Sequence, residues 1–437
     1  MRDAKRCQIL TAALAMLLYS VAGARADTVT PTNAVTTRVV VRETASSQSN
    51  QVGSLRPGDQ AELLGEVPNW YRVRLSSNVE GFVSKRWTHL VSSGSPIPPT
   101  ATASFTIDVV DVGTGLAVLV RGQDFTLVYD AGSNDDTARG ASNRMFAYMK
   151  AVAPSLTTID HLMLSHPHKD HVELVPDLFP AYQVRHVWES GRLNPICGYR
   201  AFLKAINDEA GVAYHTVTHD GGSGSVTFPG ATCYGQSLPA ETIALQYGSR
   251  LETGVPVPLG QSASMTMLHA DAAPRSSVNA NTLVVRLDLG ATRVLLMGDA
   301  EAGGRKSPSI PPTPTSIEGE LLTCCTSELS ADILIAGHHG SMTSSRKMFL
   351  NAVSASTFIV STGPTKYGKV VLPDKDVTDE LRLRGDLFET DLNDATCGSN
   401  PSKVGPDNDG QPGGCDNVRV LISGTAAPEV SYWRGVD

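Results

Sequence analysis

Beyond Ala22 this sequence has no apolar run approaching the roughly 20 residues that a membrane-crossing helix requires. Positive charge is in the minority. The 36 Lys and Arg stand against 44 Asp and Glu, a formal charge of −8, which argues against a general basic surface for holding nucleic acid but leaves room for a local basic groove. Aromatic residues are modest at 6%, whereas the 39 Gly and 26 Pro suit a loop-rich α/β or β-rich protein. No Cys-x-x-Cys spacing occurs, which counts against a thiolate metal site. At 437 residues the chain is long enough for two or three domains and a large core.

The opening of the chain does not read as part of a fold. Arg2, Lys5 and Arg6 precede an apolar Leu/Ala-rich run over 9–22, and Ala24-Arg25-Ala26 places small residues where a cleavage site before Asp27 needs them. Residues 1–26 are expected to be a secretory signal peptide, since the run is short for a retained anchor. The remaining chain is then extracytoplasmic, periplasmic or secreted, with no stable membrane span. Cys7 leaves with the signal. Cys197, Cys233, Cys324, Cys325, Cys397 and Cys415 remain, an even set that suits disulfides in an exported protein. Cys397 and Cys415 bracket a Gly/Asn/Asp/Pro-rich loop and are expected to pair, while the pairing of the other four stays open.

Three regions follow. Residues 27–91 alternate short strands with turns, 92–103 have the Ser/Pro/Thr composition of a linker, and 104–437 form one large domain. In that domain apolar strands repeatedly end in Asp, His or Gly, at Asp111, Asp130, Ser165-His166, Gly298-Asp299, Gly337-His338-His339 and Ser361. If those ends share one edge of the sheets, the polar residues converge there. Helices are expected over 137–152, 199–209, 344–353 and 376–384, and a surface loop over 303–320.

The densest chemistry lies in Leu162-Met163-Leu164-Ser165-His166-Pro167-His168-Lys169-Asp170-His171, which reduces to His-x-His-x-Asp-His after a buried strand. Neutral imidazole and carboxylate are the ligands that zinc or manganese takes. Alternate residues of an extended loop point the same way, so His166 and His168 close on one ion while Asp170 and His171 turn toward a second. The competing reading is a polar loop of solvated histidines. Three of the 11 histidines within six residues weigh against it.

Two resemblances follow from the motifs. Thr37-Arg38-Val39-Val40-Val41-Arg42, Leu55-Arg56-Pro57-Gly58-Asp59, Asn69-Trp70-Tyr71-Arg72-Val73 and Gly81-Phe82-Val83 resemble a bacterial SH3 domain, a small all-β barrel. That resemblance implies a cell-wall or peptide partner, with Trp70, Tyr71 and Trp87 either lining a groove or filling the core. Asp111-Val112-Gly113-Thr114-Gly115, Asp130-Ala131-Gly132, Ser165 through His171, Gly298-Asp299-Ala300, His338-His339-Gly340-Ser341, Ser361-Thr362-Gly363 and Tyr367-Gly368 occur in the order of the ComEC-like branch of the metallo-β-lactamase superfamily, and the large domain resembles it. The fold so implied is α/β, an αββα sandwich of two mixed sheets.

The resemblance also implies site roles. His166 and His168 would hold a first ion, Asp170, His171 and His339 a second, and Asp299 would bridge both. Asp170 and His338 are the candidate catalytic residues, with His338 either donating to a substrate oxygen or serving a structural role. Asp130 would orient a ligand histidine. Two departures stand out: Asn279 or Asn281 occupies the place of a further histidine on the first ion, with His269 upstream as a substitute, and Val172-Glu173 replaces the usual Gly-Gly. The expected function is an exported hydrolase that uses metal-activated water on phosphodiester bonds, as a nuclease or phosphoesterase. Hydrolysis of a β-lactam or lactone, and a non-catalytic cell-wall-binding role, are the alternatives.

Overall fold

The computed structural model describes residues 28–91 and 104–433, apart from 33, 34, 36, 47, 48, 68, 76, 137, 391–414 and 425. The expected signal peptide, the linker and Cys397 of the expected Cys397–Cys415 pair fall outside the described residues. The chain divides into two compact units, 1–101 and 102–437.

The first unit is all β. Seven strands run in the spatial order Gln51–Leu55, Val39–Arg42, Glu80–Ser84, Trp70–Arg74, Ala61–Val67, Thr28–Pro31 and Thr88–Val91. Alternation places Val39 and Val41 inward together with Val29, Leu55, Val73 and Val83. Gly81 is required where strands cross closely, because a Cβ there would lie 2.6 Å from the Arg42 carbonyl oxygen.

The second unit is an αββα sandwich. One sheet has eight strands in the order Ala213–His215, Gln183–Trp188, Thr158–Met163, Thr126–Ala131, Ala117–Arg121, Ser104–Val109, Val418–Ser423 and Glu429–Tyr432. The other has seven, from Pro256–Gly260 and Ala263–His269 through the hairpin Val284–Leu289 and Thr292–Leu296 to Ile333–Ile335, Thr357–Val360 and Asp386–Glu389. Pleating explains the layers. Leu127 and Met163 face Val285, Leu296 and Ile335 between the sheets, whereas their neighbours Val128 and Leu162 pack outward. There they meet Met145 and Tyr148 of helix Arg144–Val152 and Phe202 of helix Cys197–Asp208. Leu295, Leu334 and Phe358 of the second sheet meet Ile317, Phe349 and Val377 from three helices on the far side. Both sheets are parallel beside their site-bearing strands, so the ends of Thr158–Met163, Thr292–Leu296 and Ile333–Ile335 open onto a common edge.

Helix boundaries differ from the sequence expectation for local reasons. The helix expected over 137–152 begins only at Arg144, where the Asn143 side chain accepts from the Phe146 N–H, and Gly140 at φ +60° breaks the preceding turn. The helix expected from 344 begins at Lys347, because Ser345 is left-handed at φ +58° and the Glu318 carboxylate takes the Ser345 and Arg346 amides. The stretch 303–320 is not loop throughout. Ser316 accepts from the Gly319 N–H and starts a helix, Ile317–Cys324. Disulfides join Cys197 to Cys233 and Cys324 to Cys325. Among the described residues no helix is long and apolar enough to cross a membrane.

Candidate metal centre

Asp130 ends its strand in a left-handed conformation, φ +57°, and this turns its carboxylate under the histidine loop. Oδ1 accepts from the Ser165 N–H at 2.6 Å, and Oδ2 accepts from the Ser165 hydroxyl at 2.6 Å. The same Oδ2 lies 2.8 Å from His171 Nδ1. The loop then turns into the short helix Lys169–Val172, which presents Asp170 and His171 inward and leaves Lys169 exposed. Asp170 Oδ2 accepts from the Tyr367 hydroxyl at 2.7 Å and the Asn134 amide at 3.2 Å.

The second sheet supplies the opposite wall. Gly298, at φ +49°, precedes Asp299, and a Cβ at Gly298 would lie 2.8 Å from both Ser165 Cβ and Thr282 Cγ2. His338 and His339 are both left-handed, at φ +51° and +53°, an uncommon conformation for two successive non-glycine residues. That turn buries His339, whose Nδ1 donates to the Ser361 carbonyl at 2.8 Å and leaves Nε2 facing the cluster.

The candidate ligands fall into two groups: His166, His168 and Asp299, and Asp170, His171 and His339. Asp299 faces both. Its Oδ2 lies 3.5 Å from His166 Nε2, while its Oδ1 lies 3.1 Å from His171 Nε2 and 3.5 Å from His339 Nε2. These last three atoms are buried without a hydrogen-bond partner. Two imidazole nitrogens that converge on one carboxylate oxygen, all three buried without a hydrogen-bond partner, are a donor set that a divalent cation would satisfy, so the residues fit such an ion. Burial alone would raise the Asp299 carboxyl, but the imidazoles of His171, His338, His339 and His166 hold it well below the usual range. Burial also depresses His166 and His168, which keeps both rings neutral as ligands must be.

Other candidates are placed elsewhere. His338 is not in either group; its Nδ1 lies 2.6 Å from Thr343 Oγ1 and 3.1 Å from Glu301 Oε1, and its Nε2 lies 3.7 Å from Asp299 Oδ2. His269 is also outside both groups. It donates through Nδ1 to the Thr282 carbonyl at 2.6 Å. Asn279 reaches His338 Nε2 at 3.4 Å through its amide nitrogen, whereas Asn281 donates to the Asp271 and Ala273 carbonyls and shapes the loop. The glycine-rich motifs fasten the two halves. The Ser361 hydroxyl donates to the Gly115 carbonyl at 2.8 Å, and a Cβ on Gly363 would fall 1.9 Å from the Thr114 nitrogen. His161, His186 and His215 gather beside Trp188 at the inner face of the first sheet, away from either ligand group.

Residues 37–89 match the bacterial SH3 domain, and residues 110–210 match the metallo-beta-lactamase superfamily. The chain thus carries a bacterial SH3 domain followed by a metallo-β-lactamase domain. Among curated proteins it is similar to Recombination protein 2 of Haemophilus influenzae, 25% identical over 257 residues that cover 59% of this chain and 24% of that protein. It is also similar to Competence protein ComA of Neisseria gonorrhoeae, 32% identical over 118 residues that cover 27% of this chain and 15% of that protein. The chain spans about a quarter or less of the length of these relatives. Among solved structures it is similar to the metallo-beta-lactamase fold protein YhfI from Bacillus subtilis, at 13% identity and a TM-score of 0.36, over 65% of this chain and 96% of that one.

Proposed function

We propose that this chain is an exported metal-dependent hydrolase of phosphodiester bonds, a nuclease or phosphoesterase. The observation that carries the reading is the carboxylate of Asp299, with one oxygen turned to His166 and the other to His171 and His339. A carboxylate shared between two nitrogen-and-oxygen ligand groups would let two ions lie close together, an arrangement suited to in-line displacement at phosphorus. Zinc or manganese held there would supply Lewis acidity toward water and toward the phosphate oxygens. His166 and His168 would hold one ion, and Asp170, His171 and His339 the other. Tyr367 and Asn134 fix the Asp170 carboxylate, and Asp130 fixes the His171 ring.

His338 is held at Nδ1 by Thr343 and Glu301, and against its burial the Asp299 and Glu301 carboxylates favour the protonated ring. That ring would present Nε2–H on the Asp299 side to a leaving or non-bridging oxygen in place of the Asn279 contact. Asn279, not a histidine, stands beside it, so the first ion has one fewer imidazole than secreted lactamases of this fold carry. That absence favours phosphate over lactam substrates. The relatives' names, a recombination protein and a competence protein, point toward nucleic acid as the source of the phosphodiester.

Chelated protein, reloaded with zinc or manganese, is expected to cleave bis-p-nitrophenyl phosphate, with Asp299→Ala inactive and nitrocefin left intact. Turnover of nitrocefin without turnover of any phosphodiester overturns the proposal.

A further inference from the structure

We propose that the SH3-like unit holds a single strand of nucleic acid in a basic, aromatic groove, and this rests on the phosphodiester reading of the other unit. The groove has a volume of about 560 Å³ and runs along Val39–Arg42 to the turn after Glu80–Ser84. Arg38, Arg42 and Arg86 line it with Trp70 and Trp87, and among the described residues no Asp or Glu lines it. Trp87 is 41% exposed, unusual for so large an apolar ring, and the Arg86 guanidinium lies 5.0 Å from its centroid. Tyr71, by contrast, packs against the core of the unit.

The charge in this groove is uncompensated. Arg72 and Arg74, on neighbouring strand positions, take the unit's Glu62 and Glu80 at 2.8–2.9 Å. Among the described residues Arg38, Arg42 and Arg86 form no ion pair with a carboxylate, although the chain as a whole is acidic at −8. Arg42 donates to the Ser49 carbonyl at 2.7 Å, which holds its guanidinium in place without neutralising it.

Three guanidiniums without a carboxylate partner call for an anion with several forked oxygens, and the exposed Trp87 indole, with the half-buried Trp70 in the same groove, calls for planar rings. A single-stranded oligonucleotide offers both along one backbone, because phosphates repeat beside bases that each present a π-face. A cell-wall stem peptide offers carboxylates but no repeating rings, so it meets only half of the lining.

The test is fluorescence anisotropy of a labelled oligothymidylate with the full chain in chelator, which stops any cleavage while binding is read. Saturable binding is expected, with the logarithm of affinity falling against the logarithm of salt at a slope of about −2 for three neutralised phosphates. Arg38→Gln with Arg86→Gln should weaken it roughly tenfold or more, and Trp87→Ala by roughly tenfold, since one stacked base is lost. Both variants should retain the wild-type melting temperature and the wild-type rate on bis-p-nitrophenyl phosphate. Three results overturn the proposal: no binding, binding that neither variant changes, or tighter capture of an acidic muropeptide than of the oligonucleotide. Binding without cleavage in any metal sinks the hydrolase reading alone, because the anisotropy is read with the ions removed.

Discussion

His171 Nδ1 lies 2.8 Å from Asp130 Oδ2, in a site where both side chains are fully buried. The contact fixes the proton on Nδ1 and turns the Nε2 lone pair toward Asp299, Asp170 and His339. Asp130→Asn preserves size and tolerates the left-handed backbone, but replaces one of the two acceptor oxygens with an NH2 donor and removes the charge, so Ser165 and His171 can no longer both be satisfied. Its metal affinity is expected to fall 10- to 100-fold, a range typical of such orienting partners. A competitive titration against a chromogenic chelator measures this, and wild-type affinity in the variant refutes the orienting role.

Ligand deletions should separate the two ions. His339→Ala removes a ligand from one group only, whereas Asp299→Ala strips both. Elemental analysis of gently purified protein should find about one ion per chain in the first variant and none in the second. In the wild type, adding metal to chelated protein should raise the melting temperature by mass action, with about 2.7 kcal/mol gained at a concentration of 100 Kd.

Part of this site is legible in the residue order itself, since His166, His168, Asp170 and His171 crowd into six residues and alternation pairs His166 with His168. Asp170 joins His171 only because 169–172 turn into a helix, which alternation does not foretell. Asp299 and His339 are reachable only through the ordered motifs, because no local periodicity says which distant strand ends meet. What stays hidden is conformational. Asp and His tolerate the left-handed region better than most non-glycine residues, but their type alone does not announce the φ values above +50° at Asp130, His338 and His339, which tertiary packing selects. The late start of helix Arg144–Val152 is hidden likewise, because it turns on which residue caps and not on apolar spacing. The helix within 303–320 is masked by prolines that end just before its first turn.

The close approach behind the ligand helix yields a packing test. A Cβ on Gly132 would sit 2.2 Å from the His171 nitrogen and 2.3 Å from the Asp170 carbonyl carbon. Gly132→Ala must therefore push the segment that carries both ligands, at a cost of about 1–3 kcal/mol for overpacking. Chemical denaturation should register that loss together with a drop in bound metal. Unchanged metal content would mean that the helix tolerates the shift.

A pH effect on stability is expected from Glu189, fully buried at the end of Gln183–Trp188. Burial pushes its carboxyl up from 4.5 to about 7, against the hydroxyls of Tyr214 and Tyr199 that donate to it. With the folded value above the unfolded one, the folded state binds more protons between these values. Stability is therefore full below about pH 4.5 and declines through pH 7, by up to about 3 kcal/mol. Glu189→Gln should flatten that decline. Urea midpoints of both proteins at pH 5 and pH 8 decide it, and parallel curves count against a neutral Glu189.

The strand Val418–Ser423 pairs with Ser104–Val109, and the Asn417 side chain accepts from the Asp111 N–H at 2.9 Å. Every candidate ligand is synthesised well before that strand. A chain emerging from a ribosome or a secretion pore thus displays all its histidines while the first sheet still has an open edge. The Asp111 turn at that edge is fastened only when Asn417 arrives. On the proposed reading of an exported metal enzyme, the compartment where folding finishes, and the metals present there, would decide what the centre is loaded with.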